Sequence, residues 1–421
     1  MGEATMNRAL LMGVGSAGDV FPFIALGLGL KQRGWVVTLA ANPTFETAIS
    51  RLGLGFEPLN TREHYDRLTQ NPDLWHTSKG TRTIIADQEA PQTIRKQYEI
   101  SRQFSRLPGA RVVVASSLGY GARIAREEHG LPLLTTHLNP IMMRCHKNPP
   151  YLPGGRLLNA LVGLWPKLGY RLVDRIMDRM LAPTIEPIRR LSGRGPVRRY
   201  LDSWWNSPDG VLLLFPHWFG VIPTLPGNAK AVGFLQHEMD QNPADLVDLW
   251  KWMDAGRPPV VATFGSAMRH AGGLFGQLAE ATAARGERLL ILSKDPGQVP
   301  SPLPAHVLHA NWAPMSQVLR KAALLVHHGG IGTVAQALGL AVPQLVIPFA
   351  HDQHDNAFRV QALGCGDLLF SDRVSKSRLI EKLGHLLSAR KTGGKLGEIS
   401  TKVRPWEAQA AACDLVEQAA R

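Results

Sequence analysis

An apolar run that stops abruptly on glycines and then turns helical can fold in few ways other than strand, tight loop and helix start. This chain contains the pattern twice. The later case runs from Ala322 to Val326, then His327-His328-Gly329-Gly330-Ile331-Gly332-Thr333, then a helical spacing at Val334, Ala335 and Leu338. The earlier one is the run 8–15, followed by Ser16-Ala17-Gly18-Asp19 and a helical face at Phe23, Leu26 and Leu30 that ends at Arg33-Gly34. The next strand, 35–41, follows at once, so the opening is a β-α-β unit of a doubly wound sheet. Apolar runs at 110–116, 131–136, 210–215, 259–264, 288–293, 306–310 and 342–348 supply further strands.

The later loop has the chemistry of an anion cradle. Glycines let backbone N–H groups approach closely, and a helix N-terminus carries partial positive charge. His328 adds a side-chain donor, and Thr333 is expected to place a hydroxyl at the helix cap. One strand upstream, Trp312 and Ala313 follow Asn311, where the indole face can stack on a nucleobase. Asp352 and Gln353 follow the next strand, a position suited to binding sugar hydroxyls. The earlier loop, Gly13-x-Gly15-x-x-Gly18, satisfies a dinucleotide fingerprint, which makes an NAD-binding oxidoreductase the competing reading. That fingerprint expects an acidic residue after the second strand. The strand ends instead in Ala40-Ala41-Asn42.

Length and composition narrow the field. At 421 residues two domains are expected, and 44% apolar with 19% charged residues is a globular composition. The formal net charge of +13 invites phosphorylated ligands, membrane surface or nucleic acid. No block of basic residues interleaved with aromatics supports nucleic acid. Three scattered cysteines, Cys145, Cys365 and Cys413, form neither a zinc pattern nor a disulfide framework, which fits a reducing cytoplasm. No run is long and apolar enough to suggest a spanning helix.

The ordered set Trp312, His328-Gly329-Gly330, Gly332-Thr333, Asp352-Gln353 and Asn356-Ala357 resembles the nucleotide-sugar signature of family-one glycosyltransferases of the GT-B fold. The resemblance covers nearly the whole chain. It implies an α/β protein of two Rossmann-like doubly wound domains facing a cleft, with acceptor on the first and donor on the second. The expected boundaries are 1–236 and 244–404, with a linker at 236–243 and a C-terminal helix, 405–421, crossing back. It also implies inverting transfer without a metal or other cofactor, with Asp19 as the base and Gly265-Ser266 touching the donor phosphates. Plant-type relatives pair a histidine base with an aspartate after the third strand. Here Ser116 and Ser117 stand in that place, consistent with an aspartate base acting alone. The alternative for Asp19 is that it only caps the following helix.

The segments Gly15–Phe23, Asn71–Trp75, Gly329–Gly332 and Ala350–Gln353 are similar to those of the bacterial rhamnosyltransferases of rhamnolipid synthesis. That similarity points to a thymidine diphosphate sugar, rhamnose, and a hydroxyalkanoyl lipid acceptor. A phenolic or polyketide acceptor with a uridine or thymidine donor is the alternative, as is a non-catalytic sugar-nucleotide binder. Gln336 falls where plant relatives carry a glutamate that accepts from both ribose hydroxyls. An amide offers only one acceptor oxygen and so suits deoxyribose. On the acceptor side the candidates are Phe21, His137, Met142, Met143 and Trp165, with ordinary core or loop packing as the alternative for the last four. The stretch 157–181 is apolar on one side and basic on another (Lys167, Arg171, Arg175, Arg179). Either a solvated face or peripheral contact with anionic membrane accounts for it.

Overall fold

A computed structural model describes residues 6–153, 155–222, 225, 227–238, 246–265, 271–390 and 394–421. Ser266 lies outside these residues, as does most of the expected linker. The chain divides into two compact units. One comprises residues 1–68, 78–237 and 405–421, the other 69–77 and 238–404.

In the first unit the apolar runs become parallel strands in the order β3-β2-β1-β4-β5-β6-β7. These are β1 (Arg8–Met12), β2 (Val36–Ala41), β3 (Gly55–Pro58), β4 (Arg111–Ser116), β5 (Leu133–His137), β6 (Val211–Leu213) and β7 (Ala229–Ala231). In the second unit the order is β10-β9-β8-β11-β12-β13. Its strands are β8 (Val260–Thr263), β9 (Leu289–Leu292), β10 (Val307–Ala310), β11 (Leu324–His327), β12 (Gln344–Val346) and β13 (Gly366–Leu368). The central strands are buried along their length (Ala9–Met12, Val260–Thr263, Leu324–His327), as sheets covered on both faces require. Each sheet reverses its order once, between β1 and β4 and between β8 and β11. Ligand crevices open at the carboxyl ends of strands at such a reversal. The two glycine loops of the sequence sit at these two places.

Three strands escape the sequence pattern: β3, β7 and β13. All are sheet edges of three or four residues. Edge strands need only one apolar face and tolerate charge and proline, as Glu57, Pro58, Lys230 and Asp367 show.

Residues 1–236, expected as one piece, give up Thr69–Thr77 to the second unit. There Trp75 packs against the core formed by β8, β9 and β11 with flanking helices. The final helix, Pro405–Ala419, packs on the helix Ala17–Gln32 of the first unit. Gln409 donates to the Ala25 carbonyl (2.5 Å), Trp35 to Glu417 (3.2 Å), and Arg33 pairs with Asp414 (2.7 Å). The approach needs glycine at position 29, where a Cβ would meet Cys413 Sγ at 2.8 Å.

Candidate functional site

The loop after β11 is built by its two histidines and two glycines. Gly329 N–H donates to His327 Nδ1 (3.2 Å), so that nitrogen is bare and the proton sits on Nε2, which donates to Gln344 Oε1 (3.0 Å). Full burial pushes His327 down to about 3 and keeps it neutral. His327 has no role in the sequence reading; its place is to aim the backbone at the turn. Gly329 has φ +93°, and a Cβ there would come within 2.8 Å of Val346 Cγ1 and 2.9 Å of the Gln353 carbonyl. Only glycine fits.

Gly330 is the N-cap of the helix Ile331–Gly339. Thr333, expected at the cap, is the third helical residue, because the helix starts three residues earlier than the apolar spacing suggests. The first-turn N–H groups from Ile331 to Thr333 therefore lack intrahelical acceptors and face the loop. His328 lies over Gly265, whose φ is +91° and where a Cβ would sit 2.9 Å from the imidazole Cε1. The His328 ring touches solvent yet is closely surrounded. Burial lowers it to about 4, offset in part by the Thr263 backbone. It is a neutral donor at pH 7, and its Nδ1 has no partner among the described residues.

The turn before the helix Gln353–Ala362 locks onto this loop. Asn356 Nδ2 donates to the Gly329 carbonyl (2.9 Å) and to Asp352 Oδ2 (2.7 Å). Gln353 Oε1 accepts from the N–H groups of Phe349 (2.8 Å) and Ala350 (3.1 Å). The side-chain oxygen of Gln353, a residue expected to bind sugar hydroxyls, is thus engaged with its own turn. The stretch from the other side of the chain buttresses the same turn. Thr77 Oγ1 donates to the Phe349 carbonyl (2.7 Å), and Trp75 meets the His351 ring edge-on at 5.9 Å. His351 takes a left-handed backbone (φ +56°), a conformation that needs such external support. Asn356, named in the sequence signature, stands four residues from Asp352 on one helix face.

Trp312 is half-buried in the loop between β10 and the helix Met315–Arg320, and Ala313 beside it is buried. Gln336 Nε2 donates to Glu238 Oε1 (2.9 Å), and Ser316 N–H and hydroxyl donate to the same carboxylate (2.7 and 2.5 Å). A carboxylate only accepts, so the amide nitrogen must face it and Gln336 Oε1 points elsewhere. Nothing in the sequence singles out Glu238.

In the first unit Asp19 closes a capping box. Ser16 N–H and hydroxyl donate to its Oδ2 (2.7 and 3.0 Å), leaving Oδ1 without a partner among the described residues. Burial raises its carboxyl above the usual range, and the two Ser16 bonds only partly counter this. Gly15 makes the seat, since a Cβ there would lie 2.3 Å from Oδ2. Asn42, where a dinucleotide site needs an acid, caps the next turn through Thr44 N–H (2.8 Å) and donates to Asn60 (2.6 Å). Of the acceptor-side candidates, Phe21 and Met142 reach the surface, while His137 (0% exposed) and Met143 (4%) are interior. His137 Nε2 bonds Asn206 Oδ1 (2.7 Å) and its ring lies 5.0 Å from Trp205, so packing accounts for it.

Comparison with known proteins reaches both units. Residues 9–145 match the glycosyltransferase family 28 N-terminal domain, and residues 277–408 the C-terminal domain of erythromycin biosynthesis protein CIII-like proteins. Glycosyltransferase GtfE of Amycolatopsis orientalis is 28% identical over 387 residues, 85% of each chain. The spinosyn rhamnosyltransferase SpnG superposes with a TM-score of 0.67 at 17% identity, covering 96% of this chain and 98% of that one. Glycosyltransferase VinC, solved in complex with dTDP, does so with a TM-score of 0.64 at 18% identity over 98% and 99%. At these identities the two structures speak for the shared two-sheet fold.

Proposed function

We propose, for a chain that is a GT-B glycosyltransferase joining a family 28 N-terminal domain to an erythromycin CIII-like C-terminal domain, a specific reaction: transfer of rhamnose from thymidine diphosphate to a hydroxyl of a hydrophobic acceptor. The observation that carries the donor assignment is Gln336. With its nitrogen held by Glu238, it offers one acceptor oxygen, enough for the single 3′-hydroxyl of deoxyribose and one short for ribose. A neighbour solved with dTDP and another named for rhamnosyl transfer support the same donor.

In this scheme Trp312 stacks on the base, and the N–H groups of Ile331 to Thr333 with His328 hold the diphosphate. Asp352 and the Gln353 amide nitrogen take sugar hydroxyls. Asp19 Oδ1 accepts the proton of the acceptor hydroxyl as its oxygen bonds the anomeric carbon. The bond from that carbon to the diphosphate oxygen breaks, and the charge that develops on the leaving diphosphate is met by His328 and the helix terminus. Inversion follows from the single displacement. The scheme assigns charge neutralisation to these groups and routes nothing through a metal. For the acceptor, a hydroxyalkanoyl lipid is the first reading. A polyketide or phenolic aglycone is the second, favoured by a relative named as an O-mycaminosyltylonolide 6-deoxyallosyltransferase.

Rates with thymidine- and uridine-linked forms of one sugar test the donor assignment. Wild type should prefer thymidine, and Gln336→Glu should move the ratio toward uridine. Preference for uridine in the wild type, or a ratio unmoved by the substitution, would overturn it.

A further inference from the structure

We propose that the helical hairpin Arg156–Leu164 and Pro166–Leu191 is a docking face for the surface of an anionic lipid bilayer. The sequence shows only that this stretch has an apolar and a basic side. The structure shows which way they face. The two helices close on each other at Gly169, where a Cβ would lie 2.6 Å from Val162 Cγ2, and Trp165 joins them. The inner side is held by the rest of the first unit: Tyr170 hydroxyl donates to the Cys145 carbonyl (3.2 Å) and Asp174 pairs with Arg144 (3.1 Å).

The outer side is apolar. Leu164 is 70% exposed, Trp165 61% and Leu168 55%, with Leu157, Leu172 and Ile176 also open to solvent. Trp165, Leu168, Leu172 and Ile176 follow helical spacing along one face. A contiguous exposed stripe of this kind marks an interaction surface, and a tryptophan at its tip suits a membrane–water boundary.

Charge selects the partner. Lys167, Arg171, Arg175 and Arg179 are all exposed and run beside the apolar stripe. The only acids between 156 and 181 are engaged inward. Asp174 holds Arg144, and Asp178 accepts from the N–H groups of Arg199 (2.8 Å) and Tyr200 (3.0 Å). The outward face is therefore apolar and purely basic, on a chain of net charge +13. Anionic headgroups complement it. A second copy does not, because a symmetric contact would bring two basic stripes together. No described helix is long and apolar enough to cross a membrane, so the hairpin lies in the interface plane.

The inference stands apart from the proposed reaction, and so does its test. Full-length protein is floated with vesicles of phosphatidylcholine, with and without phosphatidylglycerol, at low and high salt. Wild type should float with the phosphatidylglycerol vesicles at low salt and progressively less as salt rises. The double variant Trp165→Glu, Leu168→Glu should bind at least about tenfold more weakly at either salt, since carboxylates replace the side chains that enter the interface. Its melting temperature and its affinity for the bare nucleoside diphosphate should be unchanged, which separates docking from folding. Three results would overturn the inference: no flotation of wild type at low salt, equal binding by the double variant, or a wild-type dimer that this variant abolishes without any vesicle binding.

Discussion

Asp19 places two demands on one carboxylate: Oδ2 closes the capping box with Ser16, and Oδ1 is left for chemistry. Asp19→Asn keeps an oxygen for the Ser16 N–H and removes the basicity. Turnover should fall roughly a hundredfold or more while donor affinity, set in the other unit, barely changes. Because burial raises this carboxyl, kcat/KM should climb with pH through a value above that of an ordinary aspartate. That limb should vanish in the variant; a variant with near-normal turnover would leave Asp19 as a helix cap alone. His328, held near 4, is already neutral at working pH and donates without titrating. His328→Ala should lower both affinity and rate, since diphosphate charge grows as the bond breaks, and wild-type donor affinity should be flat above about pH 5.5 as far as His328 governs it. Calorimetry with the nucleoside diphosphate, repeated across pH, reads the affinity part.

At the level of elements, the phosphate loop and the sugar turn form one body because Asn356 ties Gly329 to Asp352. Asn356→Ala strands a buried carbonyl, which costs about 1–3 kcal/mol of stability. It should weaken donor binding as well, by freeing the loop from the turn. Chemical denaturation and calorimetry on the same variant separate the two effects; normal donor affinity in a destabilised protein would confine Asn356 to folding. Trp312→Ala should weaken the bare nucleotide by about 1–3 kcal/mol, taking aromatic–base stacking in nucleic-acid complexes as the guide. Unchanged binding in a folded variant would leave the indole as packing.

Across the whole molecule, acid is the weak direction. Burial lowers His137, His327, His328, His351 and His354 from 6.5 to about 4, 3, 4, 4 and 4. In the unfolded chain these rings take up protons as pH falls below about 6.5, and in the native chain they resist until their lowered values. Their contribution is therefore complete above pH 6.5 and is lost as pH drops, at up to about 1.4 kcal/mol per pH unit for each ring. Asp19 has the opposite sign, because a raised carboxyl favours the native state at low pH, but it is one group against five. Urea midpoints should fall between about pH 6.5 and 4.5. The second unit, with four of the five histidines, should fall more steeply than the first. Midpoints independent of pH would mean that these rings are not held neutral.

The sequence by itself determined what local geometry can carry. An apolar strand buried on both faces has to be apolar throughout, and a tightly packed left-handed turn has no room for a Cβ, so the central strands and the later glycine loop were legible at Arg8–Met12, Val260–Thr263, Leu324–His327 and Gly329. Edge strands β3, β7 and β13 were not, because half-exposed chain has no obligatory composition. Tertiary structure alone decided the pairings between residues far apart in the chain. Gln336 meets Glu238 98 positions away, and Thr77 meets Phe349 272 away. No periodicity encodes such partners. Interior or surface was undecided for the same reason. His137 and Met143 could be read as pocket lining or as core, and are core. What covers the apolar side of 157–181 was equally undecided, and it faces water, because spacing defines that a helix has two faces and only its neighbours define which one they cover.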